Sequence, residues 1–457
     1  MTTINKETIL KFNTEGPRYT SYPTAPVWTS DFTAKNYEDT LEKLNRTKEP
    51  LSLYIHIPFC EKRCYFCACN VVIKKQKPEF GNTYLDYLEK EIALVVNKLG
   101  KNYPVLQIHL GGGTPSYLSN EQLSRLNNML HDAFDLSEIY EYSVEIDPRS
   151  VDPKRLDYIR SLGFNRISFG IQDLNPKVQD AINRHHSIEE ISMLVYAARE
   201  LKFLSVNCDL IYGLPHQILD DFKETVNAII ALKPDRIALY SFALVPWLHS
   251  HQKLIKEEWL PTADTKLDLF IQAREQFIEN DYMAVAMDHF ALKTDDLSKA
   301  FLEGKMYRNF MGYTTRATPY YLGLGVSSIG YAGNNFIQNT KDLKQYYASL
   351  DNKQLPTERG YALSEDDLMR QWIIHELMCG FKLSKSAFQE TFNANFDTLF
   401  ANCKAHLDQC EADGLITQNN TQILVTDLGR LFVRNIAFGF DAYLKKQKKV
   451  QQFSKTV

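Results

Sequence analysis

From residue 50 onward, apolar and polar positions alternate in short runs separated by longer stretches of helical period. Leu53, Ile55 and Ile57 alternate with Ser52, Tyr54 and His56, which predicts a strand with two distinct faces. Further strand-like runs fall at 105–110, 142–146, 166–171, 206–211, 235–240 and 282–287. The helical stretches between them have readable starts. Ser119 with Gln122 and Ser187 with Glu190 fit the capping box, in which each side chain satisfies a backbone donor at the other end. Asp152-Pro153 and Asn175-Pro176 place a cap residue ahead of a first-turn proline. Strands alternating with helices predict an α/β fold with a mainly parallel sheet and right-handed crossovers. Six or so such units suit a partial, TIM-like β/α barrel.

The flanks differ from this body. Residues 1–35 lack periodicity, and Pro17-Arg18-Tyr19-Thr20-Ser21-Tyr22-Pro23-Thr24-Ala25 reads as an extended N-terminal arm docked by its tyrosines. Residues 36–355 read as the barrel and its C-terminal extension. Residues 356–457 read as a mainly helical, winged-helix-like C-terminal domain. Its helices are expected over 365–379 and 399–413, with a short strand at 422–425 and a final helix to about Lys449. The basic run Lys445–Lys449 reads as a solvated helix end favoured by the helix dipole.

Composition narrows the function classes. The chain has 457 residues, 44% hydrophobic and 24% charged, with a net charge of −4, which gives no general attraction to nucleic acid or to an anionic membrane. The longest apolar stretch, 237–248, is interrupted by Ser241 and Pro246 and falls short of the roughly 20 residues that span a bilayer. The first residues are polar and lack the apolar core of a signal peptide. Four of the eight cysteines crowd between Cys60 and Cys69 rather than spreading as a disulfide framework would, which predicts a reducing, cytoplasmic location. Cys208, Cys379, Cys403 and Cys410 read as small core hydrophobes.

The crowded cysteines carry the chemistry. In His56-Ile-Pro-Phe-Cys60-Glu-Lys-Arg-Cys64-Tyr-Phe-Cys67, directly after the first strand, three thiolates can hold one iron–sulfur cube while leaving its fourth iron without a protein ligand. A zinc site would normally use two separated hooks, and a ferredoxin a remote fourth ligand. Polar and glycine residues also collect where later strands end: Gly111-Gly112-Gly113-Thr114-Pro115, then Glu145 and Asp147, then Gln172 and Asp173, then Asp209. In β/α barrels that face carries the active site. Three glycines in a row let a ligand approach the backbone closely.

The spacing Cys-x3-Cys-x2-Cys, with Phe66 before the last cysteine, resembles the radical S-adenosylmethionine (SAM) superfamily. The order of His56-Ile-Pro-Phe-Cys60, Cys64-Tyr-Phe-Cys67-Ala-Cys69-Asn70, the triglycine loop, Glu145-Ile-Asp-Pro148, Gly170-Ile-Gln-Asp173 and Asp209-Leu-Ile-Tyr-Gly-Leu-Pro215 narrows the likeness. With the Pro17–Ala25 arm, Arg308-Asn-Phe-Met-Gly-Tyr-Thr-Thr315, Arg434-Asn-Ile and Phe440-Asp-Ala-Tyr-Leu, it resembles the oxygen-independent coproporphyrinogen III oxidases along nearly its whole length.

That resemblance implies a [4Fe-4S] cluster on Cys60, Cys64 and Cys67, two molecules of SAM, and coproporphyrinogen III as substrate. Two propionates would become vinyls through a 5′-deoxyadenosyl radical, giving protoporphyrinogen IX. It places Tyr54, Glu145, Phe310 and Ile329 at the reacting centre, with Tyr54, Gly112, Glu145 and Ile329 lining the cluster-bound SAM. Phe66, Gly113, Thr114, Gln172, Arg184, Asp209 and Ala243 would serve the second SAM, with Cys69 close by. Asp209 suits ribose hydroxyls, Arg184 a carboxylate gripped bidentately, and Phe66 an adenine face. Without the resemblance, Glu145 and Asp209 could equally cap helices, Ile329 could be core, and Arg184 could form a surface ion pair.

It further implies a monomer served by a reducing electron donor such as a flavodoxin or ferredoxin. Met311 stands where the family pattern usually has Gln, and a thioether cannot donate a hydrogen bond. A related branch that binds haem as a chaperone typically lacks both Cys69 and the N-terminal arm present here. A simple electron carrier would need neither the glycine loop nor a chain of this size.

Overall fold

The computed structural model describes residues 11–12, 14–316 and 318–444. The polar N-terminal residues and the basic run Lys445–Lys449 lie outside the described residues.

Six strands pair in parallel in sequence order: β1 (Leu51–Ile57), β2 (Tyr103–Gly112), β3 (Glu141–Ile146), β4 (Arg166–Gln172), β5 (Ser205–Tyr212) and β6 (Arg236–Ser241). Each falls on a predicted run. The two faces of β1 part as its alternation requires. Leu51, Leu53, Ile55 and Ile57 are fully buried in the main core, which also holds Leu85, Leu88 and Ile92 of the helix Pro78–Leu99. Tyr54 and His56 face a cavity instead. The crossover helices start where their caps predict: both capping boxes are formed, and the Asp152 and Asn175 side chains each accept first-turn amides.

The sheet continues past both ends of this parallel core without closing, so the barrel is partial. On one side, β7 (Tyr282–Ala284) and β8 (His289–Leu292) form a hairpin, with β8 antiparallel to β6. The strand expected over 282–287 therefore ends at Ala284. The chain turns back there, with the Val285 amide bonded to His289 O at 3.1 Å. A second hairpin, β9 (Tyr307–Asn309) with β10 (Gly312–Thr314), stands apart from the sheet. Beyond β1 follow β11 (Tyr320–Leu324), parallel to it, and the antiparallel β12 (Ile329–Ala332), β13 (Asn335–Asn339) and β14 (Thr357–Ala362). The sheet thus runs on beyond residue 355.

The C-terminal region has its own core, in which Phe388, Phe396, Phe400 and Phe440 pack together. Helix Glu365–Gly380 matches its prediction. The helix expected over 399–413 is broken: Phe396–Leu399 has its own cap at Asn395, and a 3-10 turn precedes Lys404–Ala412. Strands Lys382–Ser384, Gln422–Val425 and Ile416–Gln418 form a small antiparallel sheet, as a winged helix would. The expected final helix is also broken, into Asp427–Leu431 and Val433–Ala437. Phe432 leaves helical dihedrals between the two, where its ring packs 5.1 Å from Phe12.

The arm is docked. Tyr19 Oη donates to Asp441 at 2.9 Å, Tyr22 Oη accepts from the Ala442 amide at 3.1 Å, and Trp28 Nε1 donates to Pro23 O at 3.1 Å. Phe12, Tyr19 and Tyr22 bury in the C-terminal core.

Candidate active site

The cysteine loop leaves the end of β1 and closes on itself, because Phe59–Cys60 pairs in parallel with Val72–Ile73. All its cysteines are free thiols: Cys64 is buried, Cys60 and Cys67 are half-buried, and Cys69 is exposed. Arg149 Nη2 and Arg184 Nη1 each lie 3.5 Å from Cys64 Sγ, and Asp147 ties both guanidiniums at 2.6 and 3.2 Å. Burial would raise Asp147, but Arg184 and Arg149 hold it down at about 2.

The thiols also face one another. Burial, then Cys67 and Cys64, push the Cys60 thiol up to about 12. Several thiolates this close are stable together only around a cation, so the donor set fits a metal cluster. Among the described residues, no three His, Cys, Asp or Glu side chains have the spacing of a single-ion site. A cube takes each thiolate on a separate iron and accepts a wider spread.

Beside the loop opens a cavity of about 900 Å³, lined among others by Tyr54, Cys69, Gly112, Glu145, Phe310 and Ile329. Those six residues come from six separated stretches of sequence. Tyr54 Oη lies 3.1 Å from His56 Nδ1, and His56 Nε2 lies 3.0 Å from Asn70 O, which ties the strand to the cysteine loop. Tyr54 stacks on His109, with centroids 5.9 Å apart at 17°. His109 in turn touches Ser143 Oγ at 2.6 Å and Glu145 at 3.1 Å. Burial alone would raise Glu145, yet His109 holds it below the ordinary carboxylate value. Burial alone would lower His109, yet Glu145 raises it. The Glu145 side chain is nevertheless 47% exposed and lines the cavity, which makes it available to a ligand.

Also in the lining, Phe310 stands edge-on to Trp28 and Phe336 at 5.8 and 6.4 Å. Ile329 is half-buried, and its backbone abuts Gly323, where a Cβ would come within 2.6 Å of Ile329 O.

The other expected site residues lie outside that cavity lining. Gly113 is one of them; its neighbour Gly112, which does line the cavity, has a φ of +115°, and a Cβ there would meet His56 at 2.7 Å, while at Gly113 it would meet Phe59 O at 2.6 Å. The triglycine loop thus has internal reasons for its glycines besides ligand approach. Thr114 Oγ1 is spent on Ser116 Oγ and the Asp147 amide. Gln172 sits in a β-bulge at φ +75°, and its buried Oε1 has no partner. Strain with an orphaned acceptor at a strand end fits a ligand site. Arg184 is bonded to Gly170 O, Asp147 and Cys64, so its fork is not held open. Asp209 accepts from Asn207 at 2.8 Å and Ser168 at 3.0 Å, and burial followed by Glu145 raises it to about 6. Asp173 is bound by Gln217, Thr225 and the Asn175 amide and serves the loop rather than a ligand.

Phe66 and Ala243 are brought together by a residue that sequence reasoning missed. Gln252 is fully buried, and its Nε2 donates to Phe66 O at 3.0 Å and Ala243 O at 3.3 Å, while its Oε1 accepts from the Val245 amide at 2.6 Å.

The radical SAM superfamily profile matches residues 54–229, and that of the HemN C-terminal domain matches 363–432. The chain is 44% identical over 455 residues to the oxygen-independent coproporphyrinogen III oxidase of Synechocystis, covering 99% of this chain and 97% of that protein. It is 41% identical to the Escherichia coli enzyme of the same name, covering 98% and 97%. The solved structure of the E. coli coproporphyrinogen III oxidase, a radical SAM enzyme, superposes with a TM-score of 0.90 at 40% identity, over 93% of this chain and 98% of that one.

The chain belongs to the oxygen-independent coproporphyrinogen III oxidase family. Within that family's architecture, several structural partners here had no sequence signal of their own. His109 is an isolated histidine on a strand, whereas His56 already stands at the head of the motif that leads to Cys60. Arg149 follows Asp147-Pro148, and nothing in its local sequence marks it as a thiol neighbour. Met311 packs with the Trp28 cluster, and its amide, not its side chain, bonds Asn309 Oδ1 at 2.8 Å.

Proposed function

We propose that this protein converts two propionate side chains of coproporphyrinogen III to vinyls without oxygen, yielding protoporphyrinogen IX. The observation that carries this reading is 44% identity over nearly the full length with an enzyme of that name, combined with a three-cysteine loop that opens beside a cavity large enough for an organic substrate. When bound, the cluster and SAM supply a 5′-deoxyadenosyl radical that takes a hydrogen atom from the propionate carbon next to the ring. The substrate then loses CO2 and one electron, so each propionate yields one vinyl, and the electron leaves to an acceptor. Two propionates consume two SAM.

The residues of this chain bind, orient and shield. Cys60, Cys64 and Cys67 hold the cluster, with Arg149 and Arg184 neutralising the Cys64 sulfur. Tyr54, Gly112, Glu145 and Ile329 would hold the cluster-bound SAM, with the Glu145 carboxylate, which His109 keeps ionised, offering it a polar acceptor. Phe310 closes the cavity against water. Phe66, Gly113, Thr114, Gln172, Arg184, Asp209 and Ala243 surround a second SAM, with Cys69 at its edge. The chain divides into arm (1–35), barrel (36–355) and C-terminal domain (356–457), with the last strand of the sheet borrowed from the third part.

The protein acts as a cytoplasmic monomer and takes its electrons from a flavodoxin or ferredoxin. Lys62, Lys74, Lys75 and Lys77 are exposed around the cysteine loop and offer an acidic donor a complementary surface. Among the described residues, no helix is long and apolar enough to cross a membrane.

Anaerobic incubation of reconstituted protein with SAM, reductant and coproporphyrinogen III is expected to give protoporphyrinogen IX and 5′-deoxyadenosine. Stoichiometric haem binding without vinyl product would overturn the reading. Cys64→Ser is expected to lose cluster absorbance and turnover together; an intact cluster would remove Cys64 as a ligand.

A further inference from the structure

The arm side of the barrel mouth carries positive charge that the chemistry above does not use. Arg18 Nη2 donates to Ser241 O at 2.9 Å, at the C-terminal end of β6. Arg308 Nη1 donates to Arg18 O at 2.7 Å and Tyr19 O at 3.1 Å, and its guanidinium lies over the Tyr313 ring at 5.2 Å. All these partners are neutral. Among the described residues neither guanidinium forms an ion pair.

A third guanidinium adds to the charge. Arg434 lines the same small cavity as Arg18, and burial followed by Arg18 pushes it down to about 10. Asp288 is the carboxylate that acts on Arg18, Arg308 and Arg434 alike, and it is already held by His289 Nδ1 at 2.7 Å. Arg18 and Arg308 are half-buried, so an anion that joined them would be only partly screened by water. Arg308 also opens into a cavity of about 310 Å³, lined by Tyr19, Tyr307, Asn309 and His375 among others. Phe310, two residues along the same hairpin, lines the large cavity beside the cysteine loop.

We propose that Arg18 and Arg308 form a carboxylate-binding station at the barrel mouth, which takes a side-chain carboxylate of the tetracarboxylate substrate. The proposal rests on the function proposed above. Two of the four carboxylates survive the reaction, so they can serve as handles whose binding energy positions the other two. A planar guanidinium grips such a group bidentately. Because Arg308 and Phe310 share one short hairpin, an anion at the first fixes the distance from a bound ring to the reacting centre. The carboxylate of a SAM molecule has the same chemistry, and Ala243 lies two residues beyond Ser241, so the test must separate the two sources.

The test titrates the full chain with fluorescent coproporphyrin III, with its tetramethyl ester and with SAM. Arg18→Gln and Arg308→Gln are each expected to weaken coproporphyrin III binding about tenfold, the loss of one charge-assisted contact, while ester and SAM affinities stay unchanged. Arg18→Lys, which keeps the charge but not the fork, should recover part of the affinity. In turnover, KM for coproporphyrinogen III should rise with little change in kcat. Equal loss for acid and ester would overturn the proposal in favour of a structural role, and loss confined to SAM would assign the station to SAM instead. Unchanged binding in both Gln variants, with wild-type turnover intact, would overturn this proposal alone. Absence of vinyl product in the wild type would overturn the function on which it rests.

Discussion

His109 holds Glu145 by a 3.1 Å contact to its carboxylate, and Ser143 fixes the same imidazole from behind at 2.6 Å. The contact aims an ionised carboxylate into the large cavity. Glu145 is lowered and His109 raised, so the pair contributes fully between the ordinary carboxylate and imidazole values. Its contribution fades as pH falls through the lowered Glu145 value, and also as pH rises through the raised His109 value. Because Glu145 is half open to solvent, screening limits the pair to about 1 kcal/mol. Urea denaturation of wild type and His109→Gln is therefore expected to differ by that amount at about pH 6, with the gap narrowing toward about pH 9.

Glu91 ties helix Pro78–Leu99 to the turn that delivers Ile329. Its fully buried carboxylate accepts from the Gly325 amide and Tyr346 Oη at 2.7 Å and from Asn339 Nδ2 at 2.6 Å. Removing it in Glu91→Ala strands three buried donors and is expected to cost about 3–5 kcal/mol, read from chemical denaturation. Burial outweighs those donors and raises Glu91 to about 7 from 4.5. A raised carboxylate gives most stability below its unfolded value and loses it as pH climbs to the folded one. Stability should fall across that interval in wild type, and Glu91→Gln should abolish that part of the pH dependence.

Gln252 joins the cysteine loop to the end of β6 through Phe66 O and Ala243 O. Gln252→Leu keeps similar bulk but leaves the Val245 amide and both carbonyls unserved. The expected cost is about 2 kcal/mol or more, with reduced cluster retention after desalting. Iron content and melting temperature measured together check this: a lowered melting temperature with full iron content would limit Gln252 to general stability.

The exposed lysines 62, 74, 75 and 77 surround the loop on its solvent side. Reduction by a flavodoxin should slow steeply with ionic strength, since attraction between exposed charges is screened beyond about 8–10 Å near physiological salt. Reversing two of them, Lys74→Glu with Lys75→Glu, should slow stopped-flow reduction by flavodoxin at least tenfold, while dithionite reduction is unaffected.

Much of the fold was legible because it is written at short range. The alternation in β1, the two capping boxes and the caps before Pro153 and Pro176 involve residues within four positions of one another, and all formed as expected. The misses lie where a distant core overrules local period. The final helix breaks at Phe432 as that ring turns to the arm's Phe12, and no periodicity within 427–449 encodes Phe12. The strand expected at 282 stops at Ala284 because the chain reverses to place β8 against β6.

The site divides in the same way. The spacing of Cys60, Cys64 and Cys67 after a strand determined by itself that three thiols share one loop, since eight residues cannot carry them far apart. The order of glycines and carboxylates at successive strand ends determined which face they would occupy. Only the tertiary structure decided what each side chain meets there. Arg184 turned to Gly170 and Cys64, Gln252 reached across 186 residues to Phe66, and Arg308 reached across 290 to the arm. Such partners depend on sheet register and loop closure, which arise from packing the whole chain at once, so no local stretch of sequence contains them.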